Sequence, residues 1–254
     1  MYMKKDLLFY NEYEQFYTMT NQSNAFKAFC SDAFGEDFSQ DGFSDIKQID
    51  MILPYIPSGD DVHILDIGCG NGKMLGYLQK KTGAYIHGFD YSSHAINTAK
   101  ELFPMNAEFK EGIIGEVDYP KNSFDVITSM DTMYFAKDMI SFVAQIKRWL
   151  KSDGIFFVGY QEGDVMAKTE NTDTTVFADA LKTNDMRYEV VDITKQTYDL
   201  LKHKRNVALR CKQEFESEGN INWFDMLMGQ TECAIVPYEQ FAEKMARYIY
   251  VVRK

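Results

Sequence analysis

The sequence contains no run of eighteen or more apolar residues, so no helix spanning a bilayer is expected. Its first apolar stretch, Leu7 to Tyr10, passes at once into Asn11 and Glu12 and is too short for a signal peptide. Cysteine is scarce and scattered. Cys30, Cys69, Cys211 and Cys233 show no CxxC spacing, which argues against a zinc site and a disulfide framework and fits a reducing cytoplasm. With only 5 prolines, no internal repeat and no low-complexity tract, no linker divides the chain. A basic excess is also lacking: 27 Lys and Arg against 38 Asp and Glu leave a formal charge of −11, so no nucleic-acid partner is expected.

What is present suffices for a large core. The chain has 254 residues, 45% of them hydrophobic, and 15% are aromatic, which means mainly core packing with some rings left to line a pocket. Aromatic residues recur at helical intervals between Leu8 and Phe38, first Phe9, Tyr13, Phe16 and Tyr17, then Phe26 and Phe29, predicting two amphipathic helices. Ser44 reads as the N-cap of a third helical segment over 45–55.

From Asp61 short apolar runs alternate with helical ones. Strands are expected over 62–67, 84–90, 124–130 and 155–160, and helices over 73–81, 92–102 and 138–149. Ile140, Val143, Ile146 and Leu150 form the apolar side of the last of these helices, and Gly154 reads as its stop. Further on, a helix over 175–182, a strand over 188–193, one long charged helix over 195–217, a helix over 238–245 and a strand over 247–253 are expected. Alternation at these lengths means an α/β fold, a parallel sheet covered on both faces.

The chemistry concentrates in Ile64-Leu65-Asp66-Ile67-Gly68-Cys69-Gly70-Asn71-Gly72, a strand running into a glycine turn that opens a helix. Glycine at alternate positions permits positive φ and close approach of backbone to a ligand, and the free N–H groups of the following helix favour an anionic group. The next strand ends in Gly88-Phe89-Asp90, which places a carboxylate beside the turn where it can accept from ribose hydroxyls. A dinucleotide fingerprint needs Gly or Ala at position 73, where Lys73 stands, so the spacing is G-x-G-x-G preceded by Asp66.

In these residues the sequence resembles the class I S-adenosylmethionine-dependent methyltransferases of small-molecule type. The stretch Gly112-Ile113-Ile114 through Phe124-Asp125-Val126-Ile127, the turn Lys151-Ser152-Asp153-Gly154, and the terminal residues 247–254 resemble later parts of the same pattern, which covers roughly residues 61–160 well and the rest loosely. The resemblance implies a Rossmann-like, doubly wound, seven-stranded sheet, mostly parallel with an antiparallel last strand. It implies a single domain: an N-terminal helical cover over 1–60, a cofactor-binding core over 61–193, a helical cap insertion over 194–246, and the final strand over 247–254.

It also implies roles. Asp66, Gly68, Cys69, Gly70 and Gly72 would surround the methionyl and ribose portion of S-adenosyl-L-methionine, Asp90 would hold the ribose hydroxyls, and Tyr91 would lie against adenine. Many members carry an acid directly after the position of Gly112; here Ile113 stands there, so adenine recognition is expected to rest on backbone groups and on apolar contact from Ile113 and Ile114. The N-terminal aromatic helix resembles a lid, with Tyr10, Tyr13 and Tyr17 as candidates to close the site and Tyr17 first among them, although a tyrosine stripe at helical spacing is more often packing.

Acceptors must sit at the carboxyl end of the sheet, where Ser129-Met130-Asp131-Thr132-Met133-Tyr134 follows a strand. Asp131 is expected to orient an amine or hydroxyl nucleophile or take its proton, and Tyr134 to form a pocket wall, unless they merely cap a turn and fill core. Trp223 and Phe224 with the acids of residues 214–225 would suit a cationic amine, although a solvated acidic loop is the simpler account. His203, among Lys202, Lys204 and Arg205, reads as a surface histidine. The expected function is methyl transfer to a small-molecule acceptor without a metal, yielding S-adenosyl-L-homocysteine. The alternatives are methylation of RNA or protein, or cofactor binding without turnover. The oligomeric state is not specified by the sequence.

Overall fold

The computed structural model describes residues 7–40, 42–59 and 61–254. Two helices, α1 (Tyr10–Gln22) and α2 (Asn24–Phe34), precede a short α3 (Ile46–Asp50). The N-cap of α3 is Asp45, whose carboxylate accepts from the Gln48 N–H; Ser44, expected in that role, is instead buried and committed elsewhere. The alternating region runs β1 (His63–Ile67), α4 (Lys73–Thr82), β2 (Tyr85–Asp90), α5 (Ser93–Leu102), β3 (Ala107–Glu111), β4 (Phe124–Met130), α6 (Met139–Trp149) and β5 (Leu150–Glu162). It continues through α7 (Val176–Thr183), β6 (Arg187–Asp192), α8 (Thr194–Arg210), α9 (Lys212–Ser217), α10 (Ile221–Gln230), α11 (Tyr238–Lys244) and β7 (Ala246–Arg253).

The seven strands form one sheet in the order β3-β2-β1-β4-β5-β7-β6, with β7 antiparallel to both its neighbours. Side chains alternate across it as the two-residue period requires. Ile64, Val126, Phe157 and Val251 face one core with α1, α2, α4, α5, α8 and α10, while Leu65, Ile127, Phe156 and Val252 face the other with α6 and α7. The helical segments before β1 and after β6 therefore share one face. They also touch each other: Phe26 meets Phe215 with ring centres 6.5 Å apart, and Glu218 accepts from Ser23 Oγ (2.5 Å) and the Ala25 N–H (2.9 Å) at the start of α2. No helix among the described residues is long and apolar enough to cross a membrane.

Several local expectations are corrected. Gly154 does not stop a helix before a later strand; β5 starts at Leu150, pairs Leu150 with Phe124, then bulges so that Ile155 pairs with Val126. Ile140 points outward, 48% exposed, because the buried stripe of α6 runs through Met139, Phe142, Val143 and Ile146. The long charged helix is interrupted at Cys211, although the Cys211 N–H to Val207 and Phe215 N–H to Cys211 bonds carry the ladder across. Residues 221–230, within the expected helical cap but given no element of their own, are the helix α10.

Candidate functional site

The strand order reverses between β1 and β4, and the site lies outside the carboxyl ends of these strands, where the two connections diverge to opposite sides. The turn after β1 is wound by positive φ at Gly68 (72°), Gly70 (53°) and Gly72 (75°). At Gly70 an added Cβ would lie 2.3 Å from Tyr17 Oη, so this glycine admits the tyrosine of α1 directly over the turn. At Gly68 a Cβ would strike the Thr132 side chain at 2.6 Å; Thr132 Oγ1 in turn donates to the Ile67 carbonyl at 2.7 Å, latching the turn after β4 to the end of β1.

Asp90 closes the other side. Its two carboxylate oxygens accept from the Gly70 N–H (3.0 Å) and the Ser92 N–H (2.8 Å), which fixes the group beside the glycine turn. Asp66 is buried and accepts from Thr128 Oγ1 at 2.6 Å. Burial, reinforced by the nearby Asp90 charge, pushes its carboxyl up to about 7 despite that hydrogen bond. Burial likewise raises the Cys69 thiol and the Tyr91 phenol, with Asp90 the second cause for both.

These residues enclose a cavity of about 280 Å³. Asp66, Gly68, Cys69, Gly70, Asp90, Tyr91, Ile113, Ile114 and Tyr17 line it, as do Asp131 and Tyr134; Gly72 does not, being turned toward Phe109 and Ala99 in the packing beneath α4. The Nδ2 atom of Asn71, buried in the same lining, has no protein hydrogen-bond partner. Overhead, Tyr91 meets Tyr10 and Tyr13 with ring centres 5.6 and 6.1 Å away, and its hydroxyl donates to the Leu8 carbonyl at 3.2 Å. From another direction Phe38, Ser39, Gln40 and Ser44 form a strap, tethered by Lys73 Nζ to Asp37 (2.6 Å) and Ser39 Oγ (2.7 Å).

A second cavity, of about 480 Å³, shares Tyr13, Asp131 and Tyr134 with the first. Asp131 sits between them with φ 59°, an unusual backbone for a non-glycine residue. Both its oxygens are held by Arg247 of β7, Nε at 2.9 Å and Nη2 at 2.7 Å. Asp131, expected to orient a nucleophile or help take its proton, is thus half of a buried ion pair. Arg247 also donates to Ser44 Oγ, the Phe43 carbonyl and Gln48 Oε1, so all five guanidinium N–H groups are engaged. Sequence reasoning treated Arg247 only as the start of a strand; a cation within an apolar strand was the available signal.

Of the cap residues, Trp223 lines the second cavity, whereas Phe224 is buried and the acids expected nearby lie elsewhere. Glu218 serves α2, and Glu214, Glu216 and Asp225 are exposed and outside the lining. His203 is exposed and bonds to the Asp32 carbonyl at 3.1 Å.

A switch-point site with a glycine turn, an acid after β2 and a helical roof defines a nucleoside-cofactor protein of the Rossmann-like type. Residues 65–158 match the family described as "Methyltransferase domain". Phosphoethanolamine N-methyltransferase from Plasmodium falciparum is 30% identical over 129 residues, 49% of this chain and 48% of that protein. A sterol 24-C-methyltransferase from Gibberella zeae is 30% identical over 135 residues, 51% of this chain and 35% of its own length. Among solved structures, phosphoethanolamine N-methyltransferase 2 of Haemonchus contortus, in complex with phosphomonomethylethanolamine and S-adenosylhomocysteine, superposes with a TM-score of 0.74. It has 19% identity and covers 93% of this chain and 58% of that one, a likeness of fold. Over residues 65–158 the chain is thus similar to the class I S-adenosylmethionine-dependent methyltransferases. It spans about a third to a half of the length of the curated relatives named here.

Proposed function

We propose that the chain binds S-adenosylmethionine beneath α1 and transfers its methyl group to a small-molecule acceptor, an amine or a hydroxyl, held in the adjoining cavity. The observation that carries this reading is the meeting of the two cavities at Tyr13, Asp131 and Tyr134, which gives cofactor and acceptor separate chambers with one shared boundary. When bound, the cofactor supplies an electrophilic methyl on a sulfonium.

The protein's part is placement. Asp90, held beside the glycine turn by two backbone N–H groups, is placed to accept from the ribose hydroxyls. Asp66, Gly68, Cys69, Gly70 and Asn71, whose Nδ2 has no protein partner, enclose the methionyl portion, with Gly72 shaping the turn from beneath. Tyr91, Ile113 and Ile114 supply an apolar slot for adenine, and Tyr17 closes over the turn. In-line displacement needs alignment and exclusion of water more than a base. Asp131, clamped by Arg247, is suited to orient a donor on the acceptor, and Tyr134 walls the passage. In this reading residues 1–60 are a cover, 194–246 a cap, and 61–193 with 247–254 the core.

Calorimetry with S-adenosylhomocysteine tests the cofactor half: Asp90→Ala and Gly70→Val are each expected to weaken binding severely, and unchanged affinity in both overturns the assignment. Transfer of labelled methyl into a metabolite extract, RNA and protein tests the acceptor half. Labelling of RNA alone would sink it, and tight binding with no product in any extract would favour a module without turnover.

A further inference from the structure

We propose, resting on the methyltransferase reading above, that the acceptor is an amine carried on an apolar skeleton rather than a phosphate ester. The second cavity is walled by rings: Tyr13, Phe16, Phe43 and Trp223, with Phe16 and Trp223 edge to face at 5.8 Å. Its carboxylates are Glu12 and Asp164, both exposed, and the buried Asp131 at the boundary with the cofactor cavity. Among the described residues no Lys, Arg or His lines it.

The two buried cations behind this lining are already committed. Arg247, 1% exposed, has every N–H engaged. Lys204, also 1% exposed, donates to the Gly42 carbonyl at 3.2 Å and Gln230 Oε1 at 3.0 Å. A phosphate dianion here would give up hydration among aromatic rings, beside acids and without a counter-charge. An ammonium gains from the same surroundings, chiefly through the ring faces and secondarily through Glu12 and Asp164, since the Asp131 charge is already balanced by Arg247, both when the acceptor arrives and when the product forms. Phosphomonomethylethanolamine, the ligand of the Haemonchus contortus enzyme, therefore does not suit this chamber.

The step balances without an added base. The incoming ammonium loses a proton to water; the neutral nitrogen then attacks the methyl carbon, and the N–C bond forms as the C–S bond breaks. Sulfur keeps the electron pair as the thioether of S-adenosylhomocysteine, and nitrogen leaves as the methylated ammonium.

The test uses non-reacting probes on protein saturated with S-adenosylhomocysteine: benzyltrimethylammonium, its neutral isostere neopentylbenzene, and phenyl phosphate. Trp223 fluorescence and calorimetry are expected to show the cation binding at least about tenfold more tightly than the isostere, with no saturable binding of phenyl phosphate. Trp223→Leu should remove the preference while S-adenosylhomocysteine affinity stays unchanged. With labelled cofactor, phenethylamine should be methylated in preference to phosphoethanolamine. Equal binding of cation and isostere, binding of phenyl phosphate as tight as the cation, or a preference for phosphoethanolamine overturns the proposal. If any of these occurs while S-adenosylhomocysteine still binds, the methyltransferase reading stands; if S-adenosylhomocysteine fails to bind, both fall.

Discussion

Arg247 and Asp131, 116 residues apart in sequence, form a buried bidentate ion pair that joins the end of β4 to the start of β7 and, through the Phe43 carbonyl and Ser44, to the strap over the site. Such a pair is costly to break from one side, because the partner is left charged and desolvated. Arg247→Met is expected to destabilise the protein by about 3–5 kcal/mol in denaturant unfolding. The double variant Arg247→Met/Asp131→Asn should lose less than the sum of the two single changes, since it leaves no unpaired charge. Strict additivity would show that the two side chains are not coupled.

Asp66 gives the ligand-free protein a defined pH dependence. Its carboxyl is raised from an ordinary 3.8 to about 7 in the fold, so the native state holds the proton more tightly than the unfolded chain does. This contribution is present at low pH and is lost as pH rises from about 4 to about 7. Asp66→Asn cannot ionise, so its stability relative to the parent should improve across that window, by a few kcal/mol. Parallel unfolding series at pH 5 and pH 8 read the difference; an equal gap at both values would refute the account.

The same group should make cofactor binding release a proton. A sulfonium or ammonium placed near Asp66 favours its ionised form, so affinity for S-adenosylmethionine should rise between pH 6 and pH 7.5, where the free carboxyl titrates. Calorimetry in buffers of different ionisation enthalpy measures the proton count. Asp66→Asn should flatten the dependence over this range.

Gly70 and Tyr17 predict a compensating pair. A methyl at Gly70 would meet Tyr17 Oη at 2.3 Å and Cζ at 3.0 Å, so Gly70→Ala should displace α1 and weaken S-adenosylhomocysteine binding by more than about tenfold. In a Tyr17→Ala background the same substitution should cost less, because only the positive φ remains as an obstacle. Protease sensitivity of α1 in each variant checks whether the helix has moved.

The parts of the fold legible in sequence were those whose cause is local. The glycine turn announces itself because positive φ and close packing demand glycine, and β1, β4 and α6 because apolar periodicity and the Asp138 cap define them. Strand β3 escaped delimitation because it is an edge strand reading Ala-Glu-Phe-Lys-Glu with only Phe109 buried, too little apolar pattern for a two-residue period. Helix α10 escaped because its apolar residues lie on several sides, one against the core and one toward the cavity, leaving no single stripe. Arg247 could not be assigned at all without the fold, since every group it binds comes from a distant segment.

The position of β7 has a consequence for biogenesis. It comes after every other strand in the chain yet lies inside the sheet, between β5 and the edge strand β6. As the chain emerges from the ribosome, β1 to β5 can pair among themselves, but β6 must wait for β7 before it has a neighbour. Asp131 must wait as well, since its counter-ion arrives on that strand. A nascent chain therefore already possesses the glycine turn while Asp131, beside it, still lacks the guanidinium that β7 brings.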